Sequence, residues 1–124
     1  MAHPFRRAVE ANDLDAAIAL MREDVVFFSP AVFKPYQGRD AVRPLLQAVF
    51  AVFEDFRYVR EIGADGARDH ALVFEARVGD KQIEGCDFIQ LDDDGAISAF
   101  TVMVRPMSGM LALAEAMKAQ LSSA

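Results

Sequence analysis

The chain has 124 residues, a mass of 13.7 kDa and the composition of a packed globular protein, 53 % apolar and 26 % charged, so a two-domain layout and a disordered chain are both excluded. Its net charge of -6 sets up a field that repels phosphate backbones and anionic headgroups, so neither nucleic acid nor a membrane is an expected partner. No run approaches the roughly 18 apolar residues of a membrane span, and the N-terminus lacks the apolar stretch of a signal segment.

Phe5, Val9, Ala16, Ala17, Leu20 and Met21 recur at helical spacing, broken by the capping pair Asn12-Asp13, which predicts two short helices. Asp24 opens a β-branched and aromatic run, residues 25–28, that reads as a first strand and is stopped by Ser29-Pro30. Residues 31–38 have no period and two prolines yet stay apolar, which suits a lid or pocket rim. The longest helical pattern follows, with Val42, Leu45, Leu46, Val49, Phe50, Val52 and Phe53 on one stripe. Pro44 interrupts it, so a loose turn over 38–43 and a regular helix from about Pro44 are expected.

From residue 56 the period changes to two. Phe56, Tyr58, Arg60 and Ile62 share one face of a strand, and Arg57, Val59 and Glu61 share the other. Leu72, Phe74, Ala76 and Val78 alternate in the next strand, and Gly79-Asp80 turns it into a fourth over 81–91. After the acidic turn Asp92-Asp93-Asp94-Gly95, a fifth strand spans 97–105 and ends at Pro106. Ser108 is placed to cap a last helix with Met107, Met110, Leu111, Ala114, Met117 and Leu121 on its apolar stripe, fraying over 122–124. The order predicts one α+β domain over residues 1–124, a cone-shaped curved antiparallel sheet with helices packed on its concave face.

Several segments carry a resemblance that covers nearly the whole chain. Residues 11–17 (ANDLDAA), Phe28-Ser29-Pro30 leading to residues 38–42 (GRDAV), residues 87–97 (DFIQLDDDGAI) and residues 102–106 (VMVRP) resemble, in order and spacing, the nuclear transport factor 2-like fold, and within it SnoaL-like and ketosteroid-isomerase-like bacterial proteins. That resemblance implies the fold, a deep pocket and a dimer. It does not carry the isomerase's chemistry, which uses an aspartate base with a tyrosine and a protonated aspartate as oxyanion hole. By that alignment Ser29 stands at the base position and Phe5 at the tyrosine position, and only Asp87 matches. A serine without a histidine is no base near neutrality and phenylalanine donates no hydrogen bond, so steroid-type isomerisation is not expected. An epoxide-hydrolase site is not expected either, because no arginine flanks Asp87 in strand register.

Alternation puts Asp87 with Gly85, Ile89 and Leu91 on the helix-covered face, where an ionised carboxylate is costly and its pKa should rise. Two readings stand: a general acid or base at the floor of an apolar cavity, or a carboxylate tied structurally to Ser29, Tyr58 or a backbone amide. Arg60 is the candidate counter-ion. The expected ligand-contacting residues are Phe27, Ser29, Phe33, Tyr36, Tyr58, Phe74, Phe100, Val102 and Val104, with Leu72 and Ala76 also facing the pocket. His3 and His70 are read as solvated segment-end histidines, Cys86 as a small buried hydrophobe, and residues 92–95 as a solvated turn without the distal glutamate of a calcium loop. One cysteine and two histidines cannot assemble a disulfide, a thiol redox pair or a four-ligand zinc site, so no metal or cofactor and a reducing cytoplasm are expected.

Three functions fit: a small-molecule binder, a cofactor-free isomerase, cyclase or lyase using Asp87, and a dimeric assembly module. A homodimer is expected through the uncovered sheet face, where Val73, Phe88 and Met103 stand among Glu75, Arg77 and Arg105.

Overall fold

The computed structural model describes residues 2–122, so Ser123 and Ala124 of the expected frayed end lie outside the described residues. The chain runs α1 (Pro4–Glu10), α2 (Leu14–Ala19), β1 (Met21–Phe28), β2 (Tyr36–Gln37), α3 (Arg39–Val52), β3 (Glu54–Ile62), β4 (Asp69–Val78), β5 (Lys81–Leu91), β6 (Ile97–Arg105) and α4 (Met107–Ser122). The α+β reading holds: six strands form one curved open sheet in the order β2-β1-β6-β5-β4-β3, with the helices against one face. Every strand pair is antiparallel except β1 beside β6, which is parallel.

Local chemistry explains the element ends. Asp13 accepts the Ala16 amide at 3.0 Å and so caps α2, while Asn12 takes a positive φ of 55° to turn the chain between the first two helices. The chain leaves β1 at Ser29, whose hydroxyl accepts the Ala31 amide at 3.1 Å, and returns at Tyr36 to pair with Phe27.

Helix α3 begins at Arg39, five residues earlier than Pro44 suggests. Gly38, at φ 92°, turns the backbone into the helix, its carbonyl accepts the Ala41 and Val42 amides, and the Arg39 guanidinium donates to the Met21 carbonyl at 2.8 Å. Pro44 is exposed, so the backbone bond it cannot make is lost on the solvent side.

A second departure lies in β3. The pairing shifts between Tyr58, opposite Phe74, and Arg60, opposite Val73, so one extra residue reverses the alternation. Phe56 and Tyr58 face the helices as expected, but beyond the bulge Glu61 turns inward and Arg60 and Ile62 are exposed.

Helix α4 keeps part of the expected stripe, with Met110 and Met117 packed against the core. It begins at Met107 directly after Pro106, without Ser108 as its cap, and it buries Gly109 and Leu113 while Met107 and Leu111 face solvent. A Cβ at Gly109 would sit 2.5 Å from Ile83 Cγ2, so the missing side chain lets the helix lie directly on β5. Gly85 plays the same part inside the sheet, where the Phe74 ring occupies the space a methyl would need.

The core is one cluster, with Phe5, Phe74 and Phe100 among its fully buried members and the Phe5 and Phe100 rings 4.9 Å apart. On the opposite face the charges are already paired within the chain. Arg57 reaches Glu75 at 2.7 Å, Arg105 reaches Glu84 at 3.3 Å, and Arg77 bonds to both Glu54 and Asp55. Among the described residues no helix is long and apolar enough to cross a membrane.

Candidate functional site

The helices do not seal completely against the sheet. A cavity of about 370 Å³ remains between them, floored by Phe27, Tyr58, Phe74, Asp87, Phe100 and Val102 from five strands and roofed by α3 and α4. Phe5 and Val9 of α1 close one side, and residues 29–32 with Tyr36 form the rim. The volume falls within the ordinary range of small-molecule sites.

Asp87 lies in the middle of β5, between Leu72 on β4 and Val102 on β6, with its side chain directed to the helix-covered face. The expected alternation is therefore correct at the residue that matters most. The Tyr58 hydroxyl donates to Asp87 Oδ2 at 3.0 Å, and both residues are buried. Burial raises the Asp87 pKa to about 7, although the Tyr58 hydrogen bond pulls it down. Tyr58 shifts upward as well, first from burial and then from the charge of Asp87 beside it, so its phenol stays protonated and remains a donor. The Asp87 carboxyl can thus be charged or neutral near neutrality, with Tyr58 fixing one of its oxygens.

A cation does stand beside this pair, but it comes from α1. The Arg6 guanidinium lies 5.8 Å from the Tyr58 ring centroid and pairs with Glu10 at 3.2 Å and Glu61 at 3.4 Å. Arg60, the expected counter-ion, is carried to the exposed face by the bulge in β3.

Of the expected lining residues, Phe27, Ser29, Tyr36, Tyr58, Phe74, Phe100 and Val102 do border the cavity. Phe33 does not. It is fully exposed, because the chain turns out at Ser29 and back only at Tyr36, leaving position 33 nothing to pack on. Val104 packs into the core instead, since α4, starting three residues later, covers that end of the sheet. Leu72 and Ala76 are also core residues outside the lining.

Side chains of α3 and α4 add to the expected lining. Leu45, Leu46, Val49 and Phe50 on α3 and Leu113 and Met117 on α4 face the cavity. Their apolar spacing signals a buried stripe, and nothing in that signal separates a packed face from the roof of a cavity.

His70 is not solvated. It is 8 % exposed, its Nε2 lies 2.8 Å from the Ala67 carbonyl, and its ring rests 4.7 Å from that of His3. The His3 imidazole accepts the Phe5 amide, its backbone amide donates to Glu61, and its pKa is lowered by burial and then by His70. Neither histidine lines the cavity. Cys86 is half-buried on the outer face, where burial raises its thiol pKa. Among the described residues no group of three or more His, Cys, Asp or Glu side chains is placed to hold a metal ion.

The profile of the SnoaL-like domain matches residues 2–100. The chain belongs to the SnoaL-like domain family. Solved structures agree with the membership. A Pseudomonas aeruginosa protein named a steroid delta-isomerase is 44 % identical to this SnoaL-like domain, with a TM-score of 0.89 over 94 % of this chain and 85 % of that one. A Silicibacter pomeroyi protein described as having a cystatin-like fold is 37 % identical, with a TM-score of 0.89 over 96 % and 83 %. An NTF2-like protein of unknown function from Cytophaga hutchinsonii, at 20 % identity and a TM-score of 0.62 over 85 % and 87 %, shares the fold. No curated protein matches this chain by sequence.

Proposed function

We propose that this SnoaL-like domain binds a small, largely apolar molecule in the cavity, with the ligand's one deep polar group hydrogen-bonded to Asp87. The observation that carries the reading is a single buried carboxyl set among stacked aromatic rings. Phe56 lies 5.0 Å from Phe74, and Phe27 lies 5.6 Å from Phe100. Such rings supply apolar area with little rotamer entropy to lose, and one polar anchor in an apolar pocket fixes orientation.

A second reading has specific support, namely proton transfer by Asp87 to or from a carbonyl compound. A carboxyl with a pKa of about 7 is matched to general acid-base work at neutral pH, and the 44 % identical Pseudomonas aeruginosa protein carries an isomerase name. Against simple transfer of that activity, Phe5 offers no donor and the Ser29 hydroxyl already accepts the Ala31 amide.

One probe pair separates the two readings. Fluorescence titration with 2-naphthol should show saturable binding that Ala114→Phe, which fills the roof of the cavity, abolishes. Absence of binding at millimolar probe, or binding unaffected by Ala114→Phe, contradicts the binding proposal. In D2O, an apolar cyclic ketone should exchange its α-hydrogens under catalysis only if Asp87 moves protons, and Asp87→Asn should then lower that rate by about 10² or more. Binding without exchange leaves the binder alone.

A further inference from the structure

Among the described residues the cavity carries two charged lining side chains, and they differ sharply in setting. Asp87 is buried at the floor, while Lys118 is exposed on α4, adjacent in sequence to the lining Met117 and one turn before the lining Leu121. None of the ion pairs among the described residues involves Lys118, although its helix neighbour Glu115 is within one turn. Seven arginines, by contrast, are already paired, at positions 6, 22, 43, 57, 68, 77 and 105.

The cavity is therefore polarised, with a titratable acid inside and an unneutralised ammonium at its mouth. The half-buried Ser29 and the exposed Asn12 add neutral polar groups to the lining. A ligand bearing an anionic group cannot place it at the floor, where it would meet the Asp87 carboxyl in a low-dielectric site. It can place that group at the mouth, in water and within the field of Lys118.

Resting on the binding function proposed above, we infer that the preferred ligands are amphipathic acids, with an apolar body along the aromatic floor and an anionic group held at the rim by Lys118. Orientation follows from charge: the uncharged end goes in first, and any carbonyl or hydroxyl it carries meets Asp87. The chain's net charge of -6 opposes anions in general, so the local cation is what allows an acid to bind.

The test compares 2-naphthylacetate with its uncharged methyl ester by fluorescence titration at pH 8 in low salt. Lys118→Gln should weaken the acid about fivefold and leave the ester unchanged, and Lys118→Glu should weaken the acid further. Salt at 0.5 M should erase the difference between the unmutated protein and Lys118→Gln. Equal loss for acid and ester, or no loss of the acid in Lys118→Gln, overturns the assignment while the ester's binding upholds the cavity as a ligand site. Failure of both probes to bind the unmutated protein overturns the assignment together with the binding function.

Discussion

Asp87→Asn should unfold at higher denaturant concentration than the unmutated protein at pH 8.5, and that advantage should shrink steadily as pH falls from 7 towards 4. The folded-state pKa of about 7 lies above the ordinary value of 3.8, so between those values the native protein holds a proton that the unfolded chain releases. The stability from this group is complete below pH 3.8 and is lost progressively as pH rises from there through 7, because the unfolded chain gains by ionising while the native state resists carrying a buried anion. Asparagine resembles the protonated acid in shape, cannot ionise, and can still accept the Tyr58 hydroxyl through its amide oxygen. A gain of about 1–3 kcal/mol at pH 8.5 is expected, smaller than the full ionisation cost because the amide nitrogen needs a partner of its own. His3, whose pKa is lowered by burial, works in the opposite direction: it reduces stability as pH falls below about 6.5. Both proteins share that contribution, so comparing them at each pH cancels it. A variant less stable than the unmutated protein at pH 8.5 would show that the carboxylate is held by favourable contacts rather than merely tolerated.

Phe88→Glu should halve the solution mass. We propose that the sheet face away from the helices forms an isologous homodimer contact. Pairing across the sheet brings Phe28, Thr101, Phe88 and Ala71 into one row over four strands, and Met103, Cys86 and Val73 into the next. Phe28, Phe88 and Met103 are 37 %, 43 % and 58 % exposed, so the apolar patch is real and contiguous. It is bordered by Arg57 with Glu75 and Arg105 with Glu84, charges of both signs that a two-fold contact presents to each other. Pairing of Glu75 with the partner's Arg77 or Arg105 would compete with bonds those residues already make within the chain. Light scattering at micromolar concentration should give about twice 13.7 kDa for the unmutated protein and 13.7 kDa for Phe88→Glu. A monomeric unmutated protein contradicts the proposal.

What the sequence discloses depends on how local its cause is. The strands over 81–91 and 97–105 match β5 and β6 in both bounds, because alternation and turn residues are written in adjacent positions. The same alternation placed Asp87, Phe100 and Val102 on the cavity side. It fails wherever the backbone slips by one residue: the bulge after Tyr58 carries Arg60 out and Glu61 in, and no residue in that stretch announces it. In α4 the stripe holds at Met110, Ala114, Met117 and Leu121 but not at Met107 and Leu111, because Gly109, which has no side chain to count as apolar, marks the helix's closest approach to the sheet. The proline at 44 suggests a break that Gly38 and Arg39 override through contacts to β1, which lies far back in the chain. Phe33 and the buried His70 show the remaining limit. Aromatic character predicts burial only where something lies opposite, and that is decided by the whole fold.

We propose that Asp87, held by Tyr58, is a protonatable anchor inside a ligand cavity. The most direct measurement is the ¹³C-carboxyl titration of Asp87 by NMR, free and with saturating 2-naphthol. The geometry predicts a midpoint near 7 that moves when the probe binds. A midpoint near the ordinary aspartate value, unmoved by the probe, would contradict it.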